Sequence, residues 1–402
     1  MNTAPPARVA ALPVILITAL FFFWGVANNL NDVLIAHFRR AFTLNDLQSG
    51  LVQSAFYFGY FCFAIPAALF MKRFGYKGAV LLGLCLFGTG ALLFWPAAEA
   101  HSYGFFLAAL FVIASGLAFL ETSANPLVTR LGPPETAERR LNLAQAFNPL
   151  GSITGVFIGR ELILTQAGSP AAEAASVQLP YLLIALVVLG WAALIAVTRF
   201  PAIATERASD EVGSFAQFRM LFGRRAYLLG VVAQFFYVGA QVGVWSYLIR
   251  YMGAAVPGTD ERTAAGYLIL SLAVFMAGRF IGTALMGKVR PALLLGLFAA
   301  VNVVLCLIAA LVGGWIGTGA LVATSFFMSI MFPTIFALSL RDMGDLAKPA
   351  SSLLVMAIIG GAVLTALMGL VSDKSGSILL AMLVPAGCFV AVLAFARTAA
   401  KA

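Results

Sequence analysis

Long apolar runs alternate along the chain with short breaks that are rich in glycine, proline and charged residues. A helix of roughly 20 apolar residues crosses the hydrocarbon of a bilayer. Twelve runs reach that length, so the pattern predicts twelve membrane-spanning helices. Transmembrane β-strands would instead appear as ~10-residue segments of alternating polarity. The predicted spans are approximately residues 11–36, 47–71, 78–97, 103–127, 141–165, 177–198, 226–250, 264–287, 291–312, 316–340, 351–371 and 376–396.

The composition agrees with a membrane protein. Of the 402 residues, 62% are hydrophobic and 10% are charged, and the mean hydropathy is +0.98. Soluble domains are typically ~45–50% apolar and ~25% charged. The first run is long and contains Asn and Asp residues, so it is expected to stay in the mature chain instead of being cleaved as a signal peptide. The predicted fold class is an all-α, multi-pass membrane protein.

The net charge of +9 indicates the orientation of the helices and not a nucleic-acid partner. Most of the 25 Lys and Arg residues fall in one alternate set of breaks. Because positively charged loops stay inside the cell, this set is expected to face the cytoplasm. The N- and C-termini are therefore predicted to be cytoplasmic.

The longest polar break, residues 199–225, divides the spans into two sets of six. Residues 1–198 and 226–402 are predicted to form two six-helix bundles, and 199–225 is predicted to be a cytoplasmic linker. Duplicated bundles around a central cavity are typical of secondary transporters. The clearest sequence similarity between the halves pairs Phe21 to Gly25 with Phe235 to Gly239.

Two carboxylates stand out inside predicted spans, where an ionisable side chain costs ~2.5–3.5 kcal/mol. Asp32 ends the run Asn28 to Asp32 in the first span, and Glu121 shares a helix face with Asn125 in the fourth. A carboxyl group held out of water protonates more readily, so both acids are candidates for carrying a proton. Sodium would need several oxygen ligands at one unwound point, whereas these acids lie on different helices. Asp32 alternatively caps its helix, and Glu121 alternatively makes a structural hydrogen bond.

Amide and aromatic side chains accompany the acids on four spans. Amides offer donors and acceptors that match vicinal hydroxyl groups, and aromatic faces suit the C–H surface of a sugar ring. The same amides alternatively join neighbouring helices. The candidate sugar-contacting residues are Asn28, Asn29, Glu121, Gln145, Asn148, Tyr237, Gln241 and Trp245.

Arg279 is the one basic residue that falls clearly within a predicted span. An anionic substrate is therefore disfavoured, and a neutral, polyhydroxylated solute is expected. Arg279 is assigned a structural role at the gate. With a membrane potential of 100 mV, one co-transported proton would support on the order of 50-fold accumulation of a solute.

The cysteines and histidines indicate no metal site. The four cysteines each lie alone in an apolar run, and there are only two histidines. No Ser/His/Asp constellation or pore-filter repeat is present in the sequence. We therefore predict no cofactor and no enzyme activity, and an enzyme or a channel is the least supported class.

Five stretches support a family resemblance: Phe22–Phe38 (FFWGVANNLNDVLIAHF), Leu120–Pro126 (LETSANP), Arg140–Asn148 (RLNLAQAFN), Phe235–Tyr251 (FFYVGAQVGVWSYLIRY) and Met328–Leu338 (MSIMFPTIFAL). They closely resemble the L-fucose:proton symporter family of the major facilitator superfamily. The resemblance spans almost the whole chain. It implies two six-helix bundles, alternating access and proton-coupled sugar uptake across a bacterial inner membrane. A monomer is expected.

The resemblance also implies roles for individual residues. Asp32 matches the essential acid of the first helix, and Glu121 matches an acid that takes part in protonation and sugar binding. Gln145 and Asn148 match cavity residues. The Asn28-to-Asp32 motif is similar to the fucose branch, so L-fucose is the first choice of substrate. A glucose/galactose or N-acetylglucosamine transporter of the same family, or an uncoupled facilitator, is the alternative.

One departure from the superfamily pattern concerns the loop after the second helix. The superfamily signature there usually begins with an acid, whereas this chain has Met71 to Lys77, with Lys72 and Arg73. The latch of the gate is therefore expected to be built differently.

Overall fold

The structure is a computed structural model that describes residues 11–42, 46–158, 163, 175–205, 215–259 and 261–401. Its membrane helices are numbered α1 to α12. They are α1 Ala11–Ala41, α2 and α3 on either side of a kink at Gly75 in the stretch Asp46–Leu92, α4 Tyr103–Arg130, α5 Ala137–Gln145 with Phe147–Ile158, α6 Gln178–Val197, α7 Arg225–Ala255, α8 Glu261–Leu285, α9 Pro291–Leu311, α10 Gly314–Met328 with Met331–Leu340, α11 Ala347–Met356 with Gly360–Ser375, and α12 Leu383–Lys401.

All twelve predicted spans coincide with helices, and their ends differ from the prediction by a few residues. The predicted end of the fifth span, from 159 onward, lies outside the described residues apart from 163. Ten stretches of the described chain are long and apolar enough to cross a membrane. The number is below twelve because α2 and α3 run together as one stretch, and because α5 is described only as far as Ile158.

The loop predicted between the second and third spans is replaced by a sharp bend at Gly75. This residue has φ 73° and ψ 177°, a conformation that favours glycine. A Cβ atom here would lie 3.0 Å from the carbonyl oxygen of Ala204. The chain thus turns from α2 into α3 through a single residue.

Three helices are interrupted near their middle. In α5 the break at Ala146 precedes Pro149, and in α10 the break at Ser329 precedes Pro333. Proline has no backbone N–H and clashes with the carbonyl group four residues earlier, so each proline loosens the turn before it. The break in α11 is a single 3₁₀ turn, Ala357–Ile359. These breaks free carbonyl groups that other side chains then bind.

Within each half, one corresponding pair of helices packs closely through a glycine. A Cβ atom at Gly151 of α5 would overlap the carbonyl oxygen of Phe22 on α1. In the other half, a Cβ atom at Gly360 of α11 would overlap the carbonyl oxygen of Phe235 on α7. The first-to-fifth packing is therefore repeated as seventh-to-eleventh packing, and it involves the two segments whose sequences resemble each other.

Basic residues gather at one end of the helices. Lys77 donates hydrogen bonds of 2.9 Å to the carbonyl oxygens of Ala196 and Thr198, which places the α2–α3 bend beside the end of α6. Arg290, before α9, donates to the carbonyl oxygen of Ala400 in α12 at 3.3 Å. We call this end, with the α2–α3, α4–α5, α8–α9 and α10–α11 connections, the basic end.

The two sets of helices meet through α2, α4 and α5 on one side and α8, α10 and α11 on the other. Between α6 and α7, residues 215–222 form a short helix, Phe215–Phe222, called here the linker helix. Residues 206–214 of the linker lie outside the described residues. The domain limits at 198 and 226 stay a prediction.

Candidate functional site

Glu121 lies inside the protein on α4, with 1% of its surface exposed. Its Oε2 atom has no hydrogen-bond partner among the described residues. The Tyr60 hydroxyl of α2 lies beside this carboxyl group and near the Trp24 indole of α1, without a hydrogen bond of good geometry to either. Asn125, one turn further along α4, donates to the Glu121 carbonyl oxygen at 3.1 Å.

A chain of hydrogen bonds leads from the main chain of α4 at Glu121 to the opposite half. Gln145 of α5 donates through Nε2 to the Asn125 side-chain oxygen at 2.8 Å. Arg279 of α8 donates through Nη1 to both the carbonyl oxygen and the Oε1 atom of Gln145, each at 3.3 Å. Pro149 cannot donate to that same Gln145 carbonyl oxygen, so the broken helix leaves it available to Arg279. The predicted residues Glu121, Gln145 and Arg279 are therefore brought together.

Arg279 is 3% exposed. Its guanidinium carbon lies 4.9 Å from the centre of the Phe275 ring, one turn earlier on α8. The Phe275 ring also contacts the Trp245 ring of α7 edge to face, with the ring centres 5.0 Å apart. Trp245 also donates to the Ser325 hydroxyl at 3.0 Å. An aromatic stripe therefore extends from the buried cation to α7.

The other predicted residues of α7 occupy different environments. Tyr237 is fully buried, and its hydroxyl donates to the Met328 carbonyl oxygen at the break in α10, at 3.0 Å. Gln241, one turn away, is partly exposed. Gln234 is fully buried, and neither amide atom has a partner in the part of the chain that the structure describes.

One side-chain hydrogen bond joins α5 to the main chain of α1, near the polar residues of α1. Asn148 is half-buried and donates to the Phe21 carbonyl oxygen at 3.3 Å. Asn29 is half-buried and donates to the Gly25 carbonyl oxygen at 3.1 Å, within its own helix. Asn28 is also half-buried. The Asp32 side chain lies outside the described residues, so its predicted role stays a prediction.

A second group of polar contacts joins the halves nearer the basic end, and sequence reasoning missed it. Glu138 pairs with Arg341 at 2.6 Å. Asn142 donates to the Thr334 hydroxyl at 3.1 Å. On α5, Glu138, Asn142 and Gln145 are spaced by four and three, which places them on one helix face. This spacing could have indicated a polar face on α5, but it could not have indicated which residues of the other half bind to it.

A further hydrogen bond between the halves is made to a carbonyl group four residues before a proline. Ser351 of α11 donates to the Thr122 carbonyl oxygen of α4 at 3.0 Å. Pro126, four residues later, has no N–H for that oxygen. The halves are thus joined by side chains that bind backbone oxygens left without a helical donor.

The family model of the Major Facilitator Superfamily matches residues 15–352. The L-fucose-proton symporter of Escherichia coli (strain K12) is 46% identical over 413 residues, which cover 98% of this chain and 94% of that protein. The chain belongs to the L-fucose:proton symporter family of the major facilitator superfamily.

Other relatives agree with this assignment. A glucose/galactose transporter of Brucella abortus biovar 1 (strain 9-941) is 40% identical over 385 residues, covering 94% of this chain and 92% of that protein. A solved structure of the transporter FucP in the outward conformation has a TM-score of 0.89 and 45% identity, and covers 96% of this chain and 98% of that chain.

The family confirms several predictions made from the sequence. The fold is the major facilitator fold, with twelve helices in two six-helix bundles. The relatives are named transporters, in agreement with the prediction that the chain is not an enzyme. The chain is a multi-pass membrane protein.

Proposed function

We propose that this protein imports L-fucose together with a proton across a bacterial inner membrane by alternating access. The observation that supports this most directly is the connection from Glu121 through Asn125 and Gln145 to Arg279. It links the turn of α4 that carries Glu121 to a cation of the other bundle. The bond from Asn125 is to the main-chain carbonyl oxygen of Glu121, so a change of charge at the carboxyl group acts on this connection through the position of that turn and biases how the two bundles sit together.

The proton is carried by Glu121, with Asp32 of α1 as the second acid. Glu121 is buried in an apolar helix and no basic side chain forms an ion pair with it among the described residues. In an apolar interior the neutral carboxyl group has a lower free energy than the charged one. Glu121 therefore takes up a proton when the site opens to one side of the membrane and releases it when the site opens to the other.

The sugar is held by amides from α1 and α5 and by side chains of α7. Gln145 and Asn148 supply donors and acceptors, Asn28 and Asn29 lie on the neighbouring helix, and Gln241 with Trp245 supply an amide and an aromatic face from the other bundle. Glu121 accepts from a sugar hydroxyl group. Tyr237 supports the site through its bond to Met328 and contacts the sugar after the bundles rearrange.

The basic end faces the cytoplasm, with both termini on that side. This orientation follows from the rule that positive loops stay inside. The links between the bundles near the basic end then close the cytoplasmic side, and the sugar enters from the opposite side. The protein acts as a monomer, since each chain supplies both bundles of the site.

A transport assay with purified protein in liposomes tests the proposal. An imposed pH gradient, acid outside, drives accumulation of labelled L-fucose by the wild type. Glu121→Gln and Asp32→Asn are expected to abolish accumulation, while Glu121→Gln retains exchange of sugar across the membrane. Glu99→Gln is the matched control, because it removes an exposed carboxyl group that accepts a hydrogen bond from Trp95. Undiminished accumulation in both acid variants would overturn the coupling.

Sugar identity is tested in the same liposomes by counterflow against L-fucose, L-galactose, D-arabinose, D-glucose, D-galactose and N-acetylglucosamine. We expect L-fucose to compete best, because two relatives that match almost the whole chain are named L-fucose-proton symporters. Stronger competition by glucose and galactose would assign the protein to the alternative branch. Sugar flux without alkalinisation of the medium would indicate an uncoupled facilitator.

A further inference from the structure

Tyr76 lies at the basic end, immediately after the bend at Gly75, in the signature stretch that has no acid. Its side chain is fully buried. The next residue, Lys77, holds the same bend against α6 through its hydrogen bonds to the carbonyl oxygens of Ala196 and Thr198. The bend is therefore attached to its own bundle on one side, and it carries a buried aromatic ring.

Arg130, in the last turn of α4, holds one edge of this ring. It donates through Nη1 to the Tyr76 hydroxyl at 3.2 Å, and its guanidinium carbon lies 5.9 Å from the ring centre. Both residues belong to the N-terminal bundle, so this hydrogen bond does not join the halves. It fixes the direction in which the phenol oxygen points.

A lysine of the other bundle lies over the same ring. Lys348 is in the first turn of α11, and its amine is 5.2 Å from the centre of the Tyr76 ring. The residue is 8% exposed. A cation within about 6 Å of a ring centre is attracted to the electron-rich face, and the attraction is larger away from water. This contact joins the two bundles.

The same part of α11 binds the N-terminal bundle a second time. Ser351 follows Lys348 by three residues, which places both on one face of the helix. Its hydroxyl donates to the Thr122 carbonyl oxygen of α4 at 3.0 Å and to the Lys348 carbonyl oxygen at 2.8 Å. The beginning of α11 is therefore bound both to the α2–α3 bend and to α4.

We propose that the contact between the Lys348 amine and the Tyr76 ring holds the basic end closed, in place of the acid that the superfamily signature usually supplies. The inference rests on the proposed function in one respect, because alternating access requires the bundles to separate at this end. The ring stays with the bend and Lys348 leaves with α11, so separation breaks the contact. Tyr76 and Lys348 are thus positioning residues, which set the ratio of closed to open protein without touching the sugar.

Distance measurements on the full-length protein in nanodiscs test the proposal. Spin labels at Arg139 and Lys288, which are exposed on opposite bundles, report opening at the basic end. Tyr76→Leu removes the ring and Lys348→Met removes the charge but keeps a long apolar side chain. Each should raise the population of long distances about fivefold.

Two conservative variants are the matched controls. Tyr76→Phe keeps the aromatic face and loses only the hydroxyl that Arg130 binds, and Lys348→Arg keeps a cation that can lie over the ring. We expect each of them to change the population of long distances less than twofold. If the lysine only packed its apolar stem on the ring, Lys348→Met would also resemble the wild type.

The double variant, Tyr76→Leu with Lys348→Met, shows whether the ring and the amine act on each other. If they are partners, the second substitution adds little to the first, because the contact is already lost. The other interactions of Lys348 are removed in both backgrounds, so they cancel in the comparison.

Three results would overturn the proposal. They are wild-type distances in both Tyr76→Leu and Lys348→Met, fully additive shifts in the double variant, or a shift in Tyr76→Phe as large as that in Tyr76→Leu. The two Tyr76 variants test the contact even if Lys348→Met fails to fold. The distances require neither sugar nor a pH gradient, so a wild type that fails to accumulate L-fucose would contradict the proposed function and not this contact.

Discussion

Glu138 at the start of α5 and Arg341 at the end of α10 form an ion pair of 2.6 Å that joins the two bundles at the basic end. The Glu138 side chain is 5% exposed and the Arg341 side chain 45%. The pair is the outermost of the contacts along one face of α5, which continues through Asn142 and Gln145. In the proposed alternating-access cycle this face separates from α8 and α10 when the basic end opens, so we expect the pair to act as a latch.

Neutralising this pair should favour opening at the basic end. Glu138→Gln removes a charge attraction of about 1 kcal/mol, which corresponds to a shift of about fivefold in the ratio of the two arrangements. Spin labels at the exposed positions Arg139 and Lys288, on opposite bundles, report the shift as a larger population of long distances.

Two matched variants check that prediction. Glu135→Gln removes an exposed carboxyl group from the same connection and should leave the distances unchanged. Exchanging the charges, Glu138→Arg with Arg341→Glu, should restore part of the closed population. If the single variant keeps the wild-type distance distribution, the pair is not a latch.

Arg279 is expected to affect transport more than sugar binding. Arg279→Lys keeps the charge but cannot reproduce the planar guanidinium group that stacks on Phe275 and reaches both oxygens of Gln145. We expect the rate of L-fucose uptake to fall more than tenfold while the dissociation constant changes by less than threefold, about 0.7 kcal/mol. Isothermal titration and uptake assays measure the two quantities. Arg290→Gln, exposed at the basic end, is the control, and equal losses in binding and uptake would contradict the prediction.

The amides of α5 are expected to determine sugar affinity. Gln145→Ala and Asn148→Ala each remove a hydrogen-bonding group worth about 1 kcal/mol, so the dissociation constant for L-fucose should rise about fivefold. Leu143→Ala changes an exposed apolar residue two positions before Gln145 on the same helix and should leave the dissociation constant unchanged. Unchanged affinity with a lower yield of folded protein would instead mean that these amides only hold helices together.

The bend at Gly75 is expected to be sensitive to any side chain. Gly75→Ala places a non-glycine residue at φ 73° and a Cβ atom against the Ala204 carbonyl oxygen. We expect a loss of about 1–3 kcal/mol of stability, seen as a lower unfolding temperature in detergent. Gly104→Ala is the control, because a Cβ atom there meets no other atom within 4 Å. Equal unfolding temperatures for the two variants would show that the bend tolerates a side chain.

The sequence by itself determined the twelve spans, because the requirement for about 20 apolar residues per crossing is local and leaves a visible pattern. It also indicated Glu121, since an acid inside an apolar run is conspicuous without knowledge of its neighbours. The repeated aromatic and glycine segments of α1 and α7 were visible as well, and their equivalent packing against α5 and α11 follows from the absence of a side chain at Gly151 and Gly360.

Only the tertiary structure decided which polar groups meet across the bundles. Arg279 and Gln145 are 134 positions apart, and Arg341 and Glu138 are 203 apart. A helical pattern specifies a face but not its partner, so these pairs could not be deduced from spacing. The carbonyl oxygens of Thr122 and Gln145 show the same limit. Pro126 and Pro149 indicate in the sequence that these oxygens lack a helical donor. Only the packing of α11 against α4 determines that Ser351 binds the first oxygen, and only the packing of α8 against α5 determines that Arg279 binds the second.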